Sequence, residues 1–293
     1  MITYQIHRRQ FGKLTAAAAV ALASETSFAK DQAPKLRKAV KFSMVKTNGT
    51  VQEKFELVKS LGFEGVELDS PSDIDRKAAQ DAQKSTGVII HGVIDSVHWQ
   101  DRLSDPDAAI RAKGLAALEH AMEDASFYGA DTVLLVPGKV VEDVTYEQCY
   151  ERSRAEIRKV LPKAEKLKVK IAVETVWNDF ITKPEQLVQY VDDFASPFVG
   201  AYFDCSNMIK YGVSSADWIR ALGKRMLKFD FKGYSKTKGW VDIGEGDEDW
   251  PEVLKALAEV GYNGWATSEV KGGGEKELRD IAARMDKVLG LKK

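Results

Sequence analysis

Short apolar runs alternate with long amphipathic segments along most of the chain, and this alternation constrains the fold more than any other feature. The short runs have the length and composition of buried strands, whereas the longer segments repeat apolar residues at helical spacing. The predicted strands lie at residues 40–45, 65–69, 88–94, 131–136, 169–173, 199–203, 226–231 and 265–268. Each is followed by a predicted helix, so the chain contains eight strand–helix units. The third helix is expected at residues 106–128 with Asp105 as its N-cap, and the fourth at residues 146–167.

Eight such units in roughly 250 residues are typical of a (β/α)8 barrel, the TIM barrel, which is an α/β fold. A doubly wound open sheet is the alternative, and it usually carries a glycine-rich phosphate-binding turn after its first strand. Here the first predicted strand is followed by Lys46-Thr-Asn-Gly49, which has no GxGxxG pattern. The sequence therefore predicts a single-domain TIM barrel over residues 38–293.

The first 29 residues are predicted to lie outside the barrel. Arg8 and Arg9 precede an alanine-rich apolar segment, and Ser27 and Ala29 offer small side chains at the usual cleavage positions. This order resembles a twin-arginine export signal; a basic amphipathic helix is the alternative. We therefore predict an export signal over residues 1–29, a linker over residues 30–37, and a periplasmic or otherwise exported protein.

Charge and composition argue against several classes of function. The net charge of the 293 residues is −1 and there is no basic block, so a nucleic-acid partner is not expected. There is no apolar run of about 18 residues, so no membrane span is expected. Cys149 and Cys205 lack a CxxC spacing, and we expect free, partly buried thiols. The sequence leaves the oligomeric state open, a homo-oligomer included.

Acidic residues stand at the ends of the last four predicted strands: Glu174, Asp204, Asp230 and Glu269. In a TIM barrel these strand ends share one rim, where active sites lie. Four neighbouring carboxylates repel one another unless a cation compensates them. Oxygen ligands suit Mg²⁺, Mn²⁺ or Ca²⁺ better than Zn²⁺. The pattern predicts a divalent metal site, with Mn²⁺ or Mg²⁺ favoured; the alternative is that each acid pairs with a local lysine or faces water.

Several segments carry a family resemblance. Glu174-Thr-Val-Trp-Asn-Asp-Phe180, Phe203-Asp-Cys-Ser-Asn207, Trp218-Ile-Arg-Ala-Leu-Gly-Lys-Arg225, Gly244-Glu-Gly-Asp-Glu-Asp-Trp250 and Gly261-Tyr-Asn-Gly-Trp265 resemble the sugar phosphate isomerase/epimerase family of xylose isomerase-like TIM barrels. The resemblance implies a divalent metal held by Glu, Asp, His and Glu from strands five to eight. Glu174, Asp204 and Glu269 match three of these ligands, whereas Asp230 stands where the family has His.

Such a site predicts proton transfer next to a sugar carbonyl. Glu174 and Glu269 are the candidate catalytic residues, one removing the α proton and the other returning a proton through an enediolate. Five further residues are candidates for substrate binding: His98, Trp177, Asn178, Asn207 and Lys232. For each there is a structural alternative: a loop residue for His98, a cap on the core for Trp177, turn formation for the two asparagines, and neutralisation of Asp230 for Lys232.

The expected function is that of a metal-dependent isomerase or epimerase of a non-phosphorylated ketose or keto-sugar, because an exported enzyme meets little sugar phosphate. Two alternatives remain. One is a 3-keto-glycoside lyase or hydrolase that uses the same acids for β-elimination. The other is a sugar-binding barrel that has lost catalysis, an option that Asp230 in place of His keeps open.

Overall fold

The computed structural model describes residues 33–291 and contains the predicted TIM barrel. The strands are β1 Leu36–Lys41, β2 Gly65–Ser70, β3 Ile89–Asp95, β4 Thr132–Leu135, β5 Lys170–Glu174, β6 Val199–Asp204, β7 Met226–Phe231 and β8 Gly264–Ser268. All neighbouring strands are parallel, and β8 pairs with β1 to close the barrel. The predicted export signal at 1–29 lies outside the described residues, as do residues 30–32 of the predicted linker at 30–37; the last two residues of that linker, Leu36 and Arg37, belong to β1.

Among the described residues, a four-residue helix, Cys205–Met208, follows β6, and eight longer helices surround the barrel. They are α1 Val51–Ser60, α2 Arg76–Thr86, α3 Ala108–Tyr128, α4 Tyr146–Leu167, α5 Pro184–Asp192, α6 Ser215–Leu222, α7 Trp250–Glu259 and α8 Glu275–Leu289. A short hairpin, Tyr234–Ser235 with Gly239–Trp240, lies between β7 and α7. Most helix starts follow side-chain caps; Thr50 and Thr145, for example, form capping boxes. No helix in this part of the chain combines the length and apolarity needed to span a membrane.

Two predicted boundaries were wrong. The first strand was expected at residues 40–45 but is β1, Leu36–Lys41, because Lys38 and Lys41 are buried inside it and ion-paired rather than marking a polar boundary. Residues Phe42–Met44 form a 3-10 turn after it. The cap of α3 was expected at Asp105 but is Asp107, whose carboxylate accepts a hydrogen bond from the Ala109 amide at 2.8 Å.

The strands alternate two faces. Outward-facing residues such as Phe203 and Phe231 pack against Trp218 and Trp250 of the surrounding helices. The barrel interior is instead rich in polar groups, a departure from the branched apolar layers usual in this fold. Both cysteines are free, as expected, and fully rather than partly buried.

Candidate active site

The four predicted acids converge at the carboxyl-terminal rim of the barrel. Glu174, Asp204 and Asp230 lie in the last two residues of β5, β6 and β7, and Glu269 follows β8 directly. One carboxylate oxygen from each lies within 4.8 Å of the others. The first three are buried, whereas the Glu269 side chain is 42% exposed. Parallel strands that end at one rim therefore bring together four acids that are far apart in the sequence.

Lys232 lies between two of these acids. Its ammonium group contacts Asp204 Oδ2 and lies 2.5 Å from Glu269 Oε2. Asp204 Oδ1 in turn accepts hydrogen bonds from the Ser206 and Asn207 amides, both at 2.9 Å, which fixes the orientation of that carboxylate. Burial works against ionisation of Glu269, but Lys232 and Lys41 outweigh it and lower the pKa of Glu269 to about 2.

Glu174 has a different environment from Glu269. Among residues 33–291 no hydrogen bond or ion pair reaches the Glu174 carboxylate, and burial together with the negative charge of Glu269 raises the pKa of Glu174 well above its usual range. Burial also raises the pKa of Asp230 to about 8, against the opposing effect of Lys41. These two acids therefore have carboxylates that an additional cation would stabilise.

Beneath the rim lies a buried ion-paired group that sequence reasoning missed. Lys41 Nζ lies 3.0 Å from Asp230 Oδ2 and 3.1 Å from Glu67 Oε2, and all three side chains are almost fully buried. Glu67 also accepts a hydrogen bond from the Tyr202 hydroxyl at 2.8 Å. Gly92 makes room for this carboxylate, because a Cβ there would lie 2.5 Å from Glu67 Oε1. The structure therefore places Glu67 inside the barrel, buried beneath the rim.

The donor set fits a divalent cation. When all four rim carboxylates are ionised, as ligands of a cation are, the ammonium groups of Lys41 and Lys232 leave at least two negative charges to be balanced, since Glu67 shares Lys41. Asp230 Oδ2 is fully buried and makes no hydrogen bond with any described residue, although it lies near Lys41. All four candidate ligand atoms are oxygens, the type that Mg²⁺ and Mn²⁺ favour. Glu174, Asp204, Asp230 and Glu269 would hold such an ion.

A cavity of about 340 Å³ opens above this cluster. Its lining includes both candidate catalytic acids, and four of the five predicted substrate-binding residues also line it: His98, Trp177, Asn207 and Lys232. His98 Nδ1 accepts a hydrogen bond from the Val136 amide at 3.4 Å, and burial lowers the pKa of His98 to about 4. His98 is therefore a neutral imidazole at the cavity wall at physiological pH.

The aromatic wall of the cavity contains more than the predicted Trp177. Trp177 donates its indole N–H to the Asn207 carbonyl at 2.7 Å and stacks on Trp240 with ring centroids 4.9 Å apart. Trp240 lies on the short hairpin, and 49% of its surface is exposed. Trp240 and Trp99, which is 42% exposed, are the more exposed rings of this wall and offer ring surface to a ligand.

The Asn178 side chain hydrogen-bonds to the protein backbone. Its Nδ2 donates to the Gly138 carbonyl at 2.9 Å, and its Oδ1 accepts from the Phe180 and Ile181 amides. It does not line the cavity, and it forms the turn that was predicted as the alternative to substrate binding. His91 is likewise a core residue: it stacks on Trp265, and burial lowers the pKa of His91 well below its usual value.

A barrel rim lined by carboxylates and lysines is a common arrangement in enzymes that act on small molecules. Residues 55–288 match the family model described as xylose isomerase-like TIM barrel, and the chain belongs to this family.

The chain is 24% identical over 258 residues to L-ribulose-5-phosphate 3-epimerase UlaE of Escherichia coli O1:K1, a match that covers 80% of this chain and 90% of that protein. Among solved structures, a D-psicose 3-epimerase crystallised with D-fructose is similar with a TM-score of 0.71 and 22% identity, over 87% of this chain and 100% of that one. The IolI protein with a bound zinc atom is similar with a TM-score of 0.74 and 17% identity, over 87% and 99%.

Proposed function

We propose that this protein is a metal-dependent sugar epimerase or isomerase that acts on a non-phosphorylated ketose or keto-sugar. The observation that carries the proposal is the convergence of Glu174 and Glu269 on one cavity, together with two further acids and two lysines. The relatives named as 3-epimerases of ribulose 5-phosphate and psicose support the same class of reaction. We propose Mn²⁺ or Mg²⁺ as the metal, because every candidate ligand atom is an oxygen.

The two glutamates can move a proton between carbon and carboxylate. They come from β5 and β8, on different sides of the cavity, so each can approach a bound sugar from its own side. One would remove the proton α to the carbonyl and the other would return a proton. Return to the opposite face of the same carbon gives an epimer, whereas return to the neighbouring carbon gives an isomer.

The lysines and the remaining rim residues would support this proton transfer. Lys41 and Lys232 direct positive charge at the cavity, where the developing enediolate carries its negative charge. A divalent cation, when bound, would polarise the carbonyl and stabilise the same charge. His98 and Asn207 lie where they can hydrogen-bond to sugar hydroxyls.

Proton exchange in D₂O tests the proposal directly. Mn²⁺-loaded protein should introduce deuterium α to the carbonyl of a free ketose such as D-fructose or D-psicose. The variants Glu174→Gln and Glu269→Gln should each lose about 10²-fold or more of this exchange while keeping their circular dichroism spectrum. The exposed, remote Glu185→Gln serves as control. Wild-type exchange rates in both active-site variants would refute the assignment of the two acids.

The same experiment separates the alternatives. Release of the aglycone from a 3-keto-glycoside, without exchange into an intact sugar, would indicate a lyase. Binding of sugar without exchange would indicate a sugar-binding barrel.

A further inference from the structure

A second, larger cavity adjoins the one that holds the acids. Its volume is about 690 Å³, against about 340 Å³ for the inner cavity, and the two share Lys232, Trp240 and Glu269 as lining residues. It is formed by the segments that follow β7 and β8 and by one face of α8. We call it the outer cavity. The proton transfer proposed above takes place among the acids of the inner cavity and leaves the outer one unused.

The charges of the outer cavity argue against a phosphate group. In many TIM barrels the loops after the seventh and eighth strands bind phosphate. Here the partly exposed Arg284 already forms ion pairs with three carboxylates: Asp242 at 3.1 Å, Glu245 at 2.8 Å and Asp280 at 2.7 Å. Because these acids also line the cavity, an anionic ligand would meet repulsion where a phosphate site should offer free cations.

The other two lining cations do not change this balance. Lys232 is paired with Asp204 and Glu269. Lys271 has no ion pair within the described part of the chain, but it is exposed to water, where a charge attracts a ligand only weakly. Four acidic residues therefore face three basic ones, of which two are engaged.

The rest of the wall is apolar and aromatic. Val241, Ile243, Val270 and Ile281 line it, beside the exposed ring of Trp240. This ring is held in place by stacking on Trp177 and by edge contact with Tyr234 at 5.0 Å. The hairpin is fixed by the Val241 amide, which donates to the Gly233 carbonyl at 3.0 Å. A rigid aromatic face in an apolar pocket favours a neutral ligand with an apolar face, such as a sugar ring or an aryl group.

We infer that the outer cavity binds a neutral substituent of the substrate, a second sugar ring or an aglycone, while the reacting sugar occupies the inner cavity. This inference rests on the proposed function for the position of the reacting carbons. It specifies a substrate larger than a free monosaccharide and not phosphorylated at the end remote from the reacting carbons.

Two matched series of ligands test the inference by calorimetry and by proton exchange. The first is D-fructose, D-fructose 6-phosphate and isomaltulose, in which glucose is attached to O6 of fructose. The second is 3-ketoglucose and its phenyl glycoside. In at least one series the neutral extended ligand should bind tenfold or more tightly than its parent, and the phosphate ester should show no such gain.

Variants locate the effect. Val241→Trp and Val270→Trp narrow the outer cavity. Each should bring the dissociation constant of the neutral extended ligand close to that of its parent, so that their ratio is near one. Val213→Trp, in a separate cavity, makes the same change in side-chain type and should leave that ratio unaltered. Asp242→Asn combined with Glu245→Gln releases Arg284 from two partners and should improve binding of the phosphate ester.

The outcomes separate this inference from the proposed function. Tighter binding of fructose 6-phosphate than of isomaltulose, or no gain from a neutral substituent in either series, would overturn the inference even if exchange is observed. A gain that disappears in both tryptophan variants, with no exchange of any ligand, would support the outer cavity and count against the proposed catalysis.

Discussion

Replacement of Lys41 by Met tests whether the ion pairs beneath the rim act as one unit. Lys41 is the only lysine or arginine among the described residues within ion-pair distance of Asp230 or Glu67. Met has nearly the same length and shape but no charge. The substitution therefore leaves two buried carboxylates without their ammonium partner and creates little cavity.

The size of the effect follows from burial. Removing one partner of a buried ion pair costs about 3–5 kcal/mol, because the other charge is left uncompensated. A domain of ordinary stability has about 5–15 kcal/mol in total, so Lys41→Met should lose a third of it or more. Asp230→His, which introduces the residue that the family resemblance implies at this position, removes one of the two stranded carboxylates. The double variant should therefore be more stable than the sum of the single effects by about 1–3 kcal/mol.

Urea unfolding followed by circular dichroism measures the four free energies of unfolding, with a chelator present and at pH 9, above the pKa of about 8 of Asp230, so that this carboxylate is ionised in the unsubstituted protein. Lys38→Met provides the matched control, because Lys38 lies on the same strand and is buried in an ion pair with Asp286 at 2.6 Å, away from the rim. It should combine additively with Asp230→His. Additivity within about 0.5 kcal/mol for the Lys41 pair as well would refute the coupling.

Three further predictions concern the metal, the pH dependence and the export signal. Chelator-treated protein should gain about 2.7 kcal/mol of stability from Mn²⁺ at a hundred times its dissociation constant, and Asp204→Asn should lose most of that gain in a melting assay. Burial raises the pKa of Asp95 to about 7, so its protonated form stabilises the fold below about pH 4 and this contribution is lost as the pH rises through 7. Between pH 4 and 8, the free energy of unfolding measured in urea should fall by up to about 4 kcal/mol less in Asp95→Asn than in the unsubstituted protein. An equal fall in both proteins would contradict the assignment. Cell fractionation should place the full chain in the exported fraction and the Arg8→Lys, Arg9→Lys variant in the cytoplasm; equal export of both would argue against a twin-arginine signal.

The sequence predicts the barrel and the acidic rim for the same reason. Strands β5 to β8 are mostly apolar runs, and the first acid at the end of each run marks the rim, so Glu174, Asp204, Asp230 and Glu269 could be found without any tertiary information. The bounds of the fourth helix were also predicted correctly, at residues 146–167.

Lys41 could not be found in this way. A lysine inside an apolar run indicates a strand boundary unless its partner is known, and its partners Glu67 and Asp230 lie on two other strands. The same error displaced the first predicted strand. Trp240 was missed because it is a candidate ligand contact only through its exposed position beside Trp177. The short hairpin of four paired residues creates this position, and no local sequence pattern reveals it.

Lys41 also bears on whether the Asp at position 230 preserves or destroys the metal site. With a histidine there, three carboxylates and Lys232 would leave two negative charges, which suits a divalent cation. The fourth carboxylate adds a charge, and Lys41 lies 3.0 Å from it. A rim that had lost its metal would gain nothing from burying this acid together with Lys41, since such pairs contribute little net stability. The pair instead keeps the charge suited to a divalent cation while replacing a nitrogen donor with an oxygen. We therefore expect the exchange to alter the choice of metal, towards Mn²⁺ or Mg²⁺ and away from Zn²⁺, and to leave metal binding itself intact.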